Sequence, residues 1–285
     1  MTEFVSLHNQ TYFSILDSLV SPKDLFKRAK ELNQSAVAIT DHGTLASAWD
    51  ALLTLNKKGF DQSSFVGKRV YSVLDWKLLE QYSEGLICLT ACGNGVISQL
   101  LMNKKYDEAE KTLLRLKDLF KENLAIEVQP NNMKRGYNFY NDEIDQQFLN
   151  RRLIDLGKKF DIKVVPACNT HYLNKEDASV HDVFLAIGSH QPVYSNFRLK
   201  YNVPEFYLKS GDDVQSFFSR NYGDDFANEI CANTIYFANM CENPEWIDPK
   251  FSNPSGKELP IFPVKDEPDY EEFSNWKSTQ DEDLL

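Results

Sequence analysis

The stretch AVAITDHGT, residues 36–44, joins a short apolar run to three polar residues of chemical interest. Its first part, Ala36–Thr40, is apolar on consecutive positions, which is typical of a strand buried on both faces. Asp41, His42 and Gly43 follow directly, where such a strand would end. In folds built on parallel strands, the loops at the carboxyl ends of the strands carry the function. The stretch therefore predicts both a fold class and the place where a site would lie.

The same alternation of β-rich runs and helical stretches continues over the first 190 residues. The other strand candidates are Phe4–Leu7, Gly85–Thr90, Leu124–Val128 and Lys163–Ala167. The helix candidates are a segment opened by Ser21-Pro22, then Tyr106–Phe120, Phe148–Phe160 and a segment from Asn174 to about Ile187. Strand–helix alternation predicts an α/β fold, with a parallel sheet or barrel covered by helices.

Composition limits the class of protein. The chain has 285 residues, of which 42% are hydrophobic and 26% charged, so it can bury a core and is not disordered throughout. Its five cysteines are odd in number and not densely spaced, which argues against a disulfide framework and favours a reduced, cytoplasmic protein. The sequence contains no apolar run of about 20 residues, so we expect no membrane partner.

The negative charge is concentrated at the C-terminal end. The formal net charge is −11, and residues 242–285 carry 12 acidic residues against 4 lysines. We interpret residues 1–241 as one domain and residues 242–285 as an acidic, proline-containing linker. Because affinity for a phosphate backbone needs clustered Lys and Arg, a role on nucleic acid would have to come through an assembly.

Further polar residues stand at the predicted strand ends. His8 follows the first strand, Cys92 the third, and Asn169 and His171 the fifth, while Asp17 offers an oxygen ligand. Histidine and cysteine are the preferred ligands of borderline metals. A lone histidine in such a place is more often a capping or packing residue. Several on one rim indicate a metal site, or the remnant of one.

Six short motifs follow one another along this chain. They are Leu7–Ser18 (LHNQTYFSILDS), Ala38–Gly43 (AITDHG), Tyr82–Leu101, Asn169–Leu173 (NTHYL), Glu176–Ile187 and Pro204–Ser210 (PEFYLKS). Together they resemble the PHP (polymerase and histidinol phosphatase) domain, as found at the N-terminus of the alpha subunit of bacterial DNA polymerase III. The resemblance extends over roughly residues 4–265. It implies a distorted (β/α) barrel related to metal-dependent phosphoesterases.

The sequence departs from that family at the metal ligands. The second histidine of the opening motif is Gln10, and the aspartate two residues before the later histidine is Asn169. Two strands that would each carry a ligand are missing, and we expect the connection near Gly59–Arg69 to bridge the gap, which leaves the barrel incomplete. The residues that align with ligand positions are His8, Asp17, His42, Cys92 and His171.

These departures imply a vestigial site. Metal-assisted phosphoester hydrolysis relies on ions close together, and neither Asn nor Gln replaces the lost ligands well. We expect no cofactor, or a single partly ligated zinc or manganese ion. The resemblance then implies a catalytically inactive structural or docking module that supports DNA replication. The alternatives are an active metal-dependent 3′–5′ exonuclease or phosphoesterase, and a free-standing binding protein.

The resemblance also implies partners. The first expected partner is a polymerase palm and fingers module, in the same chain or in a separate one. The palm residues that bind magnesium for DNA synthesis are not in this sequence, so that module would carry the magnesium ions. A proofreading exonuclease subunit is a second expected partner, and DNA would be contacted only through the assembly. We interpret His181 as a structural helix contact. Asp41 and Asp182 are the first residues to consider if other side chains replaced the missing ligands.

Overall fold

The chain folds as a mixed α/β structure in which strands and helices alternate. The computed structural model describes residues 2–42, 44, 46–47, 65–67, 76–133 and 145–241. The strands are β1 (Val37–Ile39), β2 (Phe65–Gly67), β3 (Cys88–Leu89), β4 (Leu124–Val128) and β5 (Lys163–Pro166). The helices are α1 (Pro22–Glu31), α2 (Trp76–Tyr82), α3 (Val96–Met102), α4 (Tyr106–Phe120), α5 (Gln146–Phe160), α6 (Ala178–Gly188), α7 (Gly211–Tyr222) and α8 (Asp224–Asn239). The expected linker, residues 242–285, lies outside the described residues.

All strand pairs are parallel and fall into two groups. β1 pairs with β2, with Val37 opposite Phe65. The second sheet has the order β3-β4-β5, with Cys88 opposite Leu124 and Ala125 opposite Lys163. Parallel neighbours need a crossover connection, and α4 and α5 supply the two crossovers of this sheet. The prediction of a parallel α/β fold is confirmed.

The N-terminal segment joins the two groups of strands. It does not form the continuous strand predicted for Phe4–Leu7. Instead it makes isolated bridges, from Ser6 to Val37 of β1 and from Asn9 to Thr170 beyond β5. The backbone N–H of Val5 also donates to the Thr234 hydroxyl on α8, at 3.0 Å. Residues far apart in sequence therefore fix the first residues of the chain.

Among the described residues the strands do not close into a barrel, because β1-β2 and β3-β4-β5 are separate sheets and the N-terminal segment adds only isolated bridges beside β1 and beyond β5. The connection near Gly59–Arg69, which we expected to bridge a gap where two strands are absent, contains one short strand among its described residues, since Phe65–Gly67 forms β2. This strand has only three residues, and its pairing with β1 creates it. Sequence patterning alone does not distinguish so short a strand from a loop.

The core lies on both sides of β4. All five residues of this strand are buried, and α4 and α5 lie in contact with it. α8 packs against β5 and α7. The buried apolar residues of this core include Leu113, Ile126 and Leu149, each at most 1% exposed. The apolar run LAIEV predicts a parallel strand that is covered on both faces. Glu127 is the one charged residue in this strand.

Local capping signals place the helices as predicted. Ser21 caps α1 by accepting a hydrogen bond from the N–H of Asp24 at 3.0 Å, and Pro22 occupies the first helical position. α4 has the predicted bounds, and α5 begins two residues before the predicted Phe148. Asn174 and Asp177 form a reciprocal capping box in the short 3₁₀ turn that leads into α6.

Candidate metal centre

Three segments converge on Asp17. The Nδ1 atom of His42, just after β1, lies 2.7 Å from one carboxylate oxygen of Asp17. The Nδ1 atom of His171, beyond β5, lies 3.5 Å from the other. His181 reaches the same residue from α6. Asp17, His171 and His181 each offer a ligand atom, and these atoms lie within 4.8 Å of one another.

The two buried histidines also bind the main chain of Asp17. Nδ1 of His171 lies 3.0 Å from the Asp17 carbonyl oxygen, and Nε2 of His181 lies 2.8 Å from it. A carbonyl oxygen only accepts, so each of these nitrogens carries the proton and donates. The assignment leaves Nε2 of His171 as the basic nitrogen of that ring. In the described part of the chain it has no hydrogen-bond partner.

Burial and charge set the protonation states of this group. Burial alone raises the pKa of Asp17, but the nearby His171, His42 and His181 outweigh it and lower the pKa to about 2. Burial lowers the pKa of His171 to about 4, although Asp17 opposes the shift. The pKa of His181 is also lowered, mainly by burial. At neutral pH Asp17 is therefore an ionised carboxylate, and His171 and His181 are neutral imidazoles, the forms in which these side chains bind metals.

A second polar group lies on β4. Nδ1 of His8 lies 2.8 Å from a carboxylate oxygen of Glu127, which is 1% exposed. The side-chain amide of Gln129 donates to the same oxygen at 3.0 Å. Burial, followed by the charge of Glu127 and more weakly that of Asp17, raises the pKa of the Cys92 thiol to about 11. Cys92 is therefore near enough to sense both carboxylates, and it is a protonated thiol at neutral pH.

Gln10 and Asn169 border the same region. The backbone N–H of Gln10 donates to the carbonyl of Thr170 at 3.0 Å, which places it beside the segment that carries His171. The Gln10 side chain is fully buried, and neither atom of its amide has a hydrogen-bond partner among the described residues. Asn169 has a φ of 51°, a left-handed conformation that Asn and Asp adopt more readily than other side chains. Buried polar atoms of this kind are normally satisfied by ordered water or an ion.

The two aspartates considered as replacement ligands are engaged elsewhere. Asp41 is completely buried and accepts hydrogen bonds from the N–H and hydroxyl of Thr11 and from the hydroxyl of Ser14. Asp182 forms a bidentate ion pair with Arg198, with N–O distances of 2.8 and 2.6 Å. Asp41 instead orders the loop that carries Asp17.

The structure thus brings Asp17, His42 and His171 into contact, and places His8 and Cys92 around a separate carboxylate. Sequence reasoning missed Glu127, and it gave His181 a structural role only. An acidic residue inside the apolar run LAIEV was a usable signal for Glu127, because a buried strand rarely carries an unpaired charge. No comparable pattern in the sequence identifies His181, since its distance from Asp17 depends on how α6 packs.

Comparison with known proteins places the domain in a class. The PHP domain family matches residues 6–71 and 46–131 in two overlapping segments. The parallel α/β fold and the His/Asp group at the carboxyl side of the strands agree with that match. Residues 6–131 are thus similar to the PHP domain, and the chain is related at a distance to the DNA polymerase III alpha subunit.

The related proteins are much longer than this chain. DNA polymerase III subunit alpha of Borreliella burgdorferi is 26% identical over 85% of this chain and 24% of its own length. The Aquifex aeolicus protein of the same name is 26% identical over 90% of this chain and 26% of its own length. The Campylobacter jejuni protein of the same name is 28% identical over 77% of this chain and 22% of its own length. The chain spans about a quarter of the length of these relatives. Within the part that the structure describes, no helix has the length and apolar character needed to cross a bilayer.

Proposed function

We propose that this chain is a catalytically inactive PHP domain that supports a polymerase module of the DNA polymerase III alpha type. One observation carries the proposal, namely how the buried carboxylates are used. Asp41 accepts from Thr11 and Ser14, and Glu127 accepts from His8 and Gln129. Within the part of the chain that the structure describes, Asp17 is the one carboxylate in a group of potential metal ligands with His171 and His181. Paired-ion hydrolysis needs enough anionic ligands to hold two cations a few ångströms apart.

The donor set fits a single ion and not a pair. Asp17, His171 and His181 would hold one zinc or manganese ion, because their ligand atoms lie within 4.8 Å of one another and Nε2 of His171 has no partner among the described residues. Such an ion would supply local positive charge and rigidity. Gln10 and Asn169 offer neutral amides, which neither balance a second cation nor bind zinc well.

The supporting role follows from the relatives. Three quarters of their length lies outside the stretch that this chain matches, and they are named as polymerase subunits. A palm and fingers module is therefore the first partner that we propose, in the same polypeptide or in a separate one, with magnesium bound there. A proofreading exonuclease subunit is a further proposed partner, and DNA contacts this domain only through the assembly.

Active metal-dependent exonuclease or phosphoesterase chemistry is the second candidate. It is favoured by the buried, unpartnered Nε2 atom of His171 beside a carboxylate whose pKa is about 2. Both groups are in the correct protonation state to bind a metal at neutral pH.

A nuclease assay separates the two candidates. Purified chain is incubated with 3′-labelled single-stranded DNA, with a small phosphomonoester in parallel, in zinc, manganese or magnesium, and a commercial nuclease is the positive control. We expect no release of nucleotide or phosphate above that of the His171→Ala variant. Steady release that EDTA abolishes, and that His8→Ala and His171→Ala both remove, would establish the second candidate instead.

A further inference from the structure

An aromatic ring lies against both buried histidines of the candidate metal centre. It belongs to Tyr201, in the segment that follows α6, residues 189–204. The ring stacks on that of His181, with centroids 5.6 Å apart and planes inclined by 10°, and its centroid lies 5.5 Å from that of His171. His171 and His181 are 1% and 2% exposed, whereas Tyr201 is partly exposed. Tyr201 is therefore on the solvent side of the two imidazoles.

One arginine holds this segment against α6. Arg198 donates to both carboxylate oxygens of Asp182, the residue after His181, at 2.8 and 2.6 Å. The same guanidinium donates to the carbonyl of Val193 through Nη2 at 2.7 Å and Nε at 3.2 Å, and its side chain has no exposed surface. The ion pair therefore fixes the segment beside the turn of α6 that carries His181.

The groups of the centre differ in how open they are to solvent. The side chain of Asp17 is 21% exposed, and that of His42, which contacts it, is 43% exposed. The Nε2 atom of His171 is buried and has no hydrogen-bond partner among the described residues. A cation can therefore reach the carboxylate directly, but it reaches His171 only after a neighbouring group has moved. Tyr201 is the partly exposed ring beside that imidazole, so its movement would open the path.

We propose that residues 189–204 form a gate over the candidate metal centre, in which Tyr201 is the closing ring and the Arg198–Asp182 ion pair is the latch. The closed gate shields His171 from solvent, and the open gate admits a divalent cation such as zinc. The identity of the entering ion rests on the proposed single-ion site, whereas the shielding of His171 does not. A gate slows both the entry and the release of an ion, and it changes the affinity much less.

Acylation by diethyl pyrocarbonate tests the gate without any metal. This reagent modifies the basic nitrogen of a neutral imidazole, and mass spectrometry of proteolytic peptides locates the modified residue. In the parent chain in EDTA we expect rapid modification of the exposed His190 and slow modification of His171. Tyr201→Ala should accelerate modification of His171 roughly tenfold or more, because the ring no longer shields it. The matched control is Tyr194→Ala, which removes an 87% exposed ring of the same segment and should leave that rate unchanged.

The latch is tested by Arg198→Lys. This variant keeps the positive charge but loses the paired hydrogen bonds to the carboxylate, so it should also accelerate modification of His171. The gate is overturned if His171 reacts as fast as the exposed histidine in the parent chain, or if Tyr201→Ala leaves its rate unchanged. An equal gain at the buried Cys168 thiol with N-ethylmaleimide would mean general loosening of the domain, and it also overturns the gate. If only His42→Ala opens His171, the path runs past that residue instead.

Zinc exchange separates the gate from the proposed single-ion site. A fluorescent zinc indicator follows association, and an excess of EDTA starts release. We expect Tyr201→Ala to raise both rates by a similar factor and to leave the dissociation constant within roughly threefold of the parent value. A change in the dissociation constant with an unchanged association rate would make Tyr201 part of the binding site and not a gate. If no variant binds zinc while the acylation results hold, the gate stands and the single-ion site fails.

Discussion

Asp41 shows how a single buried carboxylate orders the loop that carries Asp17. Its two oxygens accept from the Thr11 N–H at 2.5 Å, the Thr11 hydroxyl at 2.8 Å and the Ser14 hydroxyl at 2.9 Å. The Ser14 hydroxyl in turn accepts from the N–H of His42 at 2.9 Å. One carboxylate side chain therefore fixes residues 11–14 and, through Ser14, the backbone of His42, which contacts Asp17.

Replacing this carboxylate by an amide should destabilise the domain. In Asp41→Asn, the new NH2 group faces the hydrogen-bond donors of Thr11 and Ser14, so at least one of these buried donors loses its acceptor. The free energy of unfolding should therefore fall by about 2–3 kcal/mol. Urea unfolding measures it. The matched control is Asp161→Asn, at the exposed left-handed C-cap of α5, where we expect a change within about 0.5 kcal/mol. Equal effects of the two variants would contradict the role given to Asp41.

The buried His171 predicts a loss of stability in acid. Its pKa falls from an ordinary 6.5 to about 4 in the folded domain, so between these values the unfolded chain binds a proton that the folded chain does not. The free energy of unfolding should therefore be unaffected by this group above pH 6.5 and decrease as the pH falls from 6.5 towards 4, by at most about 1.4 kcal/mol per pH unit.

Unfolding midpoints measured across this pH range in EDTA test the assignment. The His171→Gln variant should lose the part of the slope that His171 causes and keep the part caused by His181, whose pKa burial also lowers, whereas His190→Gln, at an exposed histidine, should keep the full slope. A His171→Gln slope equal to that of the parent chain would show that other groups cause the dependence.

At the scale of the elements, the turn from β3 into α3 is tightly closed. Gly95 is the N-cap of α3, and a Cβ atom there would lie 2.2 Å from the carbonyl oxygen of Thr90. That carbonyl belongs to the backbone, which cannot move away as a side chain can. The turn also contains Cys92, so its closure determines where the thiol lies relative to Glu127.

Gly95→Ala should therefore disrupt this turn. The methyl group forces the backbone of Thr90 or of Gly95 to shift, and we expect a loss of about 1–3 kcal/mol of unfolding free energy, the range seen when extra atoms enter a packed site. Asn94→Ala, at the neighbouring exposed position, should change it by less than about 0.5 kcal/mol. Thermal denaturation of the two variants is sufficient, and a harmless Gly95→Ala would show that the turn has room to relax.

The elements that the sequence predicts well are those whose signal is local. α4 occurs over the predicted Tyr106–Phe120 and β4 over Leu124–Val128, because helical periodicity and a continuous apolar run lie within each segment. β2 and the N-terminal bridges could not be predicted this way, since their pairing partners determine them. The same holds for the site, where His181 meets Asp17 only through the packing of α6.

At the scale of the whole molecule, the candidate centre lies at the junction of the two groups of strands. Asp17 and Gln10 come from the N-terminal region, His42 from the end of β1, and Asn169 and His171 from the end of β5. The number of metal ions that this centre can bind therefore depends on how the two groups of strands are placed against each other. Because Gln10 and Asn169 contribute neutral amides there, we predict that the chain binds at most one zinc ion.

Metal analysis after dialysis against zinc measures this number. The double variant Gln10→His, Asn169→Asp supplies a nitrogen ligand and a negative charge in the same cleft, and it should raise the bound zinc towards two ions per chain. His190→Gln should leave the value unchanged. Two or more ions in the parent chain would mean that other side chains complete the site.

The contacts of the N-terminal segment have a consequence during synthesis. Val5 is bonded to Thr234, 229 residues later in the chain, and Asn9 pairs with Thr170. At translation rates of about 5–20 residues per second, Thr234 is synthesised roughly 10 to 50 seconds after Val5. Contacts between residues so distant in sequence also form slowly, because a long loop must close first. A nascent chain halted before α8 therefore already contains the partners of Ser6 and Asn9 but not that of Val5, so its first residues are not yet held against α8.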